Sequence, residues 1–131
     1  MKKRKKLELG DRELEIMQAL WGLGKATVSE VHNALIERGG DVAYTTVQTM
    51  LNRLEAKRLV ARDNSERAHR YHPLINETAV VGGAIERLTR RFFKGSAEAL
   101  ATRLIEKDLG QEELKRIQAL IDAHRRERSA K

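Results

Sequence analysis

A single proline, Pro73, divides this 131-residue chain into two stretches of helical periodicity, and only the first contains anything that reads as strand. Proline removes a backbone donor and blocks helix continuation, so it marks a boundary. Residues 1–73 form one unit and residues 74–131 a second, with residues 1–6 as a basic leader ahead of the first.

In the first unit, Leu14, Met17, Leu20 and Trp21 recur three and four residues apart and predict a helix from Asp11 to Trp21. Asp11 and Glu13 fall in its first turn, where the helix dipole favours carboxylates, and Gly22 and Gly24 are expected to stop it. Thr27-Val28-Ser29-Glu30 has the form of a capping box and opens a second helix. Its inner stripe is Val31, Ala34 and Leu35, and Gly39-Gly40 end it. A third helix runs from Tyr44 to Lys57 with Val47, Leu51 and Leu54 inside and Met50 beside them.

The outer surface of that third helix carries Thr45, Gln48, Thr49 and Asn52, flanked by Thr46 and Arg53. Threonine is a mediocre helix former, and a helix surface that needs only solubility more often uses Glu and Lys. Such a face presents short hydrogen-bonding groups; the plainer alternative is a solvated helix of weak composition. Beyond it, Leu59-Val60-Ala61-Arg62 and Ala68-His69-Arg70-Tyr71-His72 flank the polar cluster Asp63-Asn64-Ser65-Glu66-Arg67, which describes a β-hairpin. Three helices and then a hairpin is the order of a winged helix-turn-helix, in which the second helix of the motif enters the DNA major groove.

After Pro73, Asn76 is placed to cap a helix carrying Val81, Ile85, Leu88 and Phe92, an a/d-like seam that Gly82-Gly83 weakens locally. Ser96 is placed to cap a second helix with Leu100, Leu104 and Ile105, and Gly110 precedes a third with Leu114, Ile117, Leu120 and Ile121. Three amphipathic helices in so short a segment bury their apolar faces poorly alone. Docking onto the first unit is one solution. Pairing with a second copy is the other, and twofold symmetry suits a reader of palindromic DNA. The fold class is therefore mainly α with one small β-hairpin.

Charge says less than its size suggests. The formal net charge is +7, which favours polyanionic partners. Yet 14 basic and 10 acidic residues lie up to Pro73, against 12 and 9 beyond it, so neither half is singled out. The absence of cysteine excludes a disulfide scaffold, a thiolate metal site and a cysteine nucleophile. No apolar run approaches the roughly 18 residues that cross a bilayer, and Leu7-Glu8-Leu9-Gly10-Asp11 behind the basic start is no signal-peptide core. A cytoplasmic protein without membrane insertion is expected.

Leu9 through Trp21, Ala43-Tyr44-Thr45-Thr46-Val47-Gln48-Thr49-Met50-Leu51-Asn52-Arg53-Leu54, and Arg67 through Pro73 together resemble the penicillinase and methicillin-resistance repressors, the BlaI/MecI/CopY type. Phe92 through Leu100 and Gln111-Glu112-Glu113-Leu114 resemble that family's dimerisation segment more loosely. The resemblance implies a homodimeric repressor on a dyad-symmetric operator, controlling β-lactamase, antibiotic-resistance or related stress genes. It also implies release by cleavage within the dimerisation region, triggered indirectly by a membrane sensor peptidase. That bond falls near Thr102-Arg103, where the family pattern is Asn-Phe. The copper-sensing branch uses paired cysteines, a mechanism closed to this chain.

For double-stranded DNA, Gln48 is assigned to an adenine edge, and Thr45, Thr46 and Thr49 to phosphates, base edges or thymine methyls. Tyr44 is assigned to a phosphate, and Arg53 either to a phosphate or to an internal ion pair. On the hairpin, Arg67 in the turn is assigned to the DNA backbone or the minor groove, and Arg70 is the second arginine assigned to DNA. The Lys2–Lys6 run is either a solvated tail or an arm adding phosphate contacts. Dimerisation is assigned to Val81, Ile85, Leu88, Phe92, Leu100, Leu104, Leu114, Ile117 and Ile121. Neither cofactor nor metal is expected, because His69 and His72 diverge on a strand and His32 and His124 stand apart. An enzyme is not expected either: the chain has no glycine-rich phosphate loop, and Ser29, Ser65, Ser96 and Ser129 lie in caps, turns or the tail. The competing class is an architectural nucleic-acid protein without sequence preference.

Overall fold

A computed structural model describes residues 9–65 and 67–130. The basic leader and Glu66 lie outside the described residues. The element order is α1 (Asp11–Leu23), α2 (Val28–Glu37), α3 (Tyr44–Ala56), β1 (Val60–Asp63), β2 (Arg70–Pro73), α4 (Glu77–Phe93), α5 (Ala97–Glu106) and α6 (Gln111–Ala130). The chain divides into two compact units, the boundary falling between Ile85 and Glu86 of α4.

In the first unit, α1, α2 and α3 enclose a core with the hairpin against its edge. Ile16, Met17 and Leu20 from α1 are fully buried together with Val31 from α2, Val47, Leu51 and Leu54 from α3, and Val60 from β1. The α1 stripe differs from the expected one. Leu14 and Trp21 are only half-buried, while Glu13 is buried with Ile16, Met17 and Leu20. These four positions repeat at three- and four-residue spacing, so the true inner face passes through a carboxylate. Gly22 does not stop α1; the helix ends at Gly24, whose φ of 82° suits glycine.

The capping box at α2 is present. Glu30 N–H donates to Thr27 Oγ1 at 3.1 Å, and Thr27 N–H donates to Glu30 Oε1 at 2.8 Å. At the other end Gly40 N–H donates to the Leu35 carbonyl at 3.0 Å, an approach so close that a Cβ on Gly40 would sit 2.9 Å from that oxygen.

The hairpin is shifted from its expected bounds. Asp63 belongs to β1 instead of the turn, Leu59 precedes that strand, and β2 begins at Arg70, leaving Ala68 and His69 in the connection. The antiparallel register pairs Val60 with Pro73 and Asp63 with Arg70. Pro73 sits at a strand end, where its missing donor is tolerated. Ala26 extends the sheet by one bridge, exchanging backbone hydrogen bonds of 2.9 and 2.7 Å with Tyr71.

Asn76 Oδ1 accepts the Ala79 N–H at 2.8 Å and caps α4, and Ser96 Oγ accepts the Ala99 N–H at 3.0 Å and caps α5. α4 runs unbroken through Gly82 and Gly83. In contrast to the first unit, α5 and α6 have no buried residues. Val81, Ile85, Leu88, Phe92, Leu104 and Ile121 are all exposed, Phe92 to 69%. Leu100, Leu114 and Ile117 are half-buried.

Candidate nucleic-acid interface

α3 is amphipathic in an unusual sense, with a wholly apolar inner row and an outer row of short polar groups. Val47, Leu51 and Leu54 anchor it in the core, which leaves Thr45, Gln48, Thr49, Asn52 and Arg53 exposed and Thr46 half-buried. Three supports fix its position. At its start, Tyr44 meets the His32 ring edge-on, centroids 5.9 Å apart, and a His32–Val42 hydrogen bond of 2.8 Å ties the preceding loop to α2. Midway, Tyr71 Oη donates to Asn52 Oδ1 at 3.4 Å, linking the helix to β2. At its end, Lys57 Nζ donates to both Glu13 oxygens at 2.9 and 3.1 Å.

Lys57–Glu13 is the pairing behind α3 that the sequence did not reveal. Burial pushes the Glu13 carboxyl up, but hydrogen bonds from Lys57 and the Gly10 N–H, with the charges of Lys57 and Arg53, outweigh it and hold the group below its ordinary value. The available signal was positional: Glu13 lies three and four residues before Ile16 and Met17. For Arg53, the internal ion partner is not formed among the described residues; its guanidinium lies 3.9 Å from Met50 Sδ and is exposed.

Beside α3 stands the hairpin. A cleft between them is lined by Ser29 at the start of α2, Tyr44 and Gln48 of α3, and Arg62, Arg67 and His69 of the hairpin. The arrangement brings Tyr44, Gln48 and Arg67 to one surface. Arg70 is placed differently from Arg67, pairing with Glu30 at 3.4 Å, while Arg62 pairs loosely with Glu55 at 3.7 Å. Among the described residues, no three His, Asp or Glu side chains come together as a metal site, and no helix is long and apolar enough to cross a membrane.

A three-helix core, an outward polar helix and a hairpin with arginines beside it define a winged helix-turn-helix protein. Solved structures agree at the level of fold: a MarR family protein from Bacillus stearothermophilus matches with a TM-score of 0.54 at 20% identity, covering 98% of this chain and 84% of that one. The chain belongs to the penicillinase repressor family, whose profile matches residues 9–123. Transcriptional regulator BlaI of Mycobacterium tuberculosis is 40% identical over 101 residues, 76% of this chain and 72% of that protein. The penicillinase repressor of Bacillus licheniformis is 26% identical over 119 residues, 90% of this chain and 92% of that protein. The family is one of transcriptional repressors, not of enzymes.

Proposed function

We propose that this protein represses transcription as a homodimer on a dyad-symmetric DNA operator, inserting α3 into the major groove of each half-site. The observation carrying this reading is the exposed Thr45, Gln48, Thr49 row on a helix whose opposite row is locked in the core. Gln48 pairs bidentately with an adenine, and the threonines and Tyr44 take base edges and phosphates. Arg53 and Arg67 add backbone contacts, and Arg70 joins them only by giving up part of its hold on Glu30.

Dimerisation uses the α4 seam of Val81, Ile85, Leu88 and Phe92 with Leu100, Leu104, Leu114, Ile117 and Ile121. An a/d-like seam left largely open to water in one chain favours a second copy as its cover. Inducer-linked cleavage near Thr102-Arg103, driven indirectly by a membrane sensor peptidase, is the release route the family suggests. Both residues are exposed within α5, where Thr102 Oγ1 donates to the Glu98 carbonyl at 2.8 Å, so a peptidase must first unwind that turn.

Footprinting on the protein's own upstream DNA is expected to give one discrete protected dyad; uniform coating would instead identify an architectural binder. The logarithm of the affinity is expected to fall against log salt with a slope of about −0.9 per neutralised phosphate. Gln48→Ala should cost about 1–3 kcal/mol on operator and little on random DNA, whereas Arg67→Ala should weaken both alike. Equal losses for Gln48→Ala on the two DNAs would remove it as the base reader.

A further inference from the structure

We propose that Asp63 and Lys25 form a positioning pair that sets the hairpin connection, and Arg67 with it, against the DNA backbone. The inference rests on the repressor reading above. It concerns two residues that lie outside the core and outside the reading helix.

On the connection between the strands, Arg67 and His69 are exposed. Its orientation depends on its root. Asp63 is the last residue of β1, and its two carboxylate oxygens act in different directions. Oδ1 accepts the Ser65 N–H at 2.9 Å, bending the chain into the turn. Oδ2 accepts from Lys25 Nζ at 2.6 Å, tying that turn to the segment between α1 and α2. The same segment holds β2 through the reciprocal Ala26–Tyr71 backbone bonds, and α2 holds it through Glu30 and Arg70. β1 is thus fastened to the segment before α2, and β2 to that segment and to the first turn of α2, next to the cleft that Arg67 and Gln48 line. Hydrogen bonds from Lys25 and then Ser65 hold the Asp63 carboxyl well below the usual carboxylate range, so it is ionised wherever the protein meets DNA.

A carboxylate at the edge of a DNA-binding face is electrostatically unfavourable, and this gives the test its sign. If charge alone mattered, Asp63→Asn would tighten binding by removing repulsion. A positioning role predicts the reverse. Asp63→Asn and Lys25→Ala should each weaken operator binding about two- to fivefold, the scale of a lost surface ion pair, with the thermal midpoint nearly unchanged. In either background Arg67→Ala should cost less than it does in the wild type, and the salt slope should already be shallower by about 0.9 per lost phosphate contact.

Unchanged or tighter binding by Asp63→Asn overturns the proposal, as does strict additivity with Arg67→Ala. A wild-type protein that protects no discrete site overturns the repressor reading and this inference with it. A wild type that binds its dyad while the cycle is additive overturns only the positioning role.

Discussion

Introducing Leu88→Asp and Phe92→Asp together should convert the protein to a monomer and lower its operator affinity by about two to four orders of magnitude. Both side chains are exposed on α4, Leu88 to 42% and Phe92 to 69%, one turn apart on the same stripe as Ile85 and Val81. Within one chain Phe92 gives up the Arg91 guanidinium stacked 5.8 Å from its ring centroid, but neither residue belongs to the core of the first unit, which should therefore unfold at nearly the same temperature. Across a dimer seam each aspartate would be buried facing its own symmetry mate, where desolvation and like-charge repulsion combine. The affinity loss follows from valency: two linked readers raise the effective concentration of the second at its half-site, a gain of about 10²–10⁴ that a monomer forfeits. Sedimentation and operator titration read both effects. A double variant that stays dimeric with full affinity would place the dimer interface elsewhere.

Lys57→Ala should give the second largest effect, this time on folding. It leaves Glu13 buried with the Gly10 N–H as its remaining hydrogen-bond donor among the described partners. Stripping one partner from a fully buried pair costs about 3–5 kcal/mol, but Lys57 is 35% exposed and water screens the pair from that side. A loss of about 1–2 kcal/mol is expected. The pH dependence carries a definite sign. The folded-state pKa of Glu13 lies below its ordinary value near 4.5, so its stabilisation is fully present above that value and is lost as the pH falls through the depressed one. The gap between wild type and Lys57→Ala should therefore narrow on acidification. Urea midpoints at neutral and acid pH measure it, and a gap independent of pH would show that the ion pair does not stabilise the fold. Because Lys57 also closes the C-terminal end of α3, the variant should bind operator less tightly even where it is folded.

These two sites mark the limits of what was legible beforehand. The helix carrying Val47, Leu51 and Leu54 reads directly from its spacing, and so do its exposed Thr45, Gln48 and Thr49, because a 3.6-residue period assigns faces without knowledge of any partner. The Thr27–Glu30 cap and the Asn76 and Ser96 caps read equally well, since each is satisfied within four residues. Glu13 does not. A carboxylate in a first turn has a sufficient local explanation in the helix dipole, and only a lysine 44 residues away reveals its burial. Arg70 is a similar case, because its partner Glu30 lies 40 residues back. The hairpin bounds slipped by one or two residues for the same reason: Asp63 is polar enough to read as turn, yet it pairs with Arg70 across the register, while Ala68 and His69, read as strand, fall in the connection.

The sequence by itself therefore determined the elements, their order, the exposed polar face of α3 and the apolar seam. Local periodicity, caps and turns are properties of neighbours along the chain, and a backbone with two free dihedrals per residue expresses them directly. Only the tertiary structure decided which charges are spent on partners within the protein and which stay exposed on the cleft. Lys57 is committed to Glu13, Lys25 to Asp63 and Arg70 to Glu30, while Arg67 stands exposed beside Gln48 on the cleft. The distinction is physical: an ion pair depends on distance in space, which a net charge of +7 cannot express.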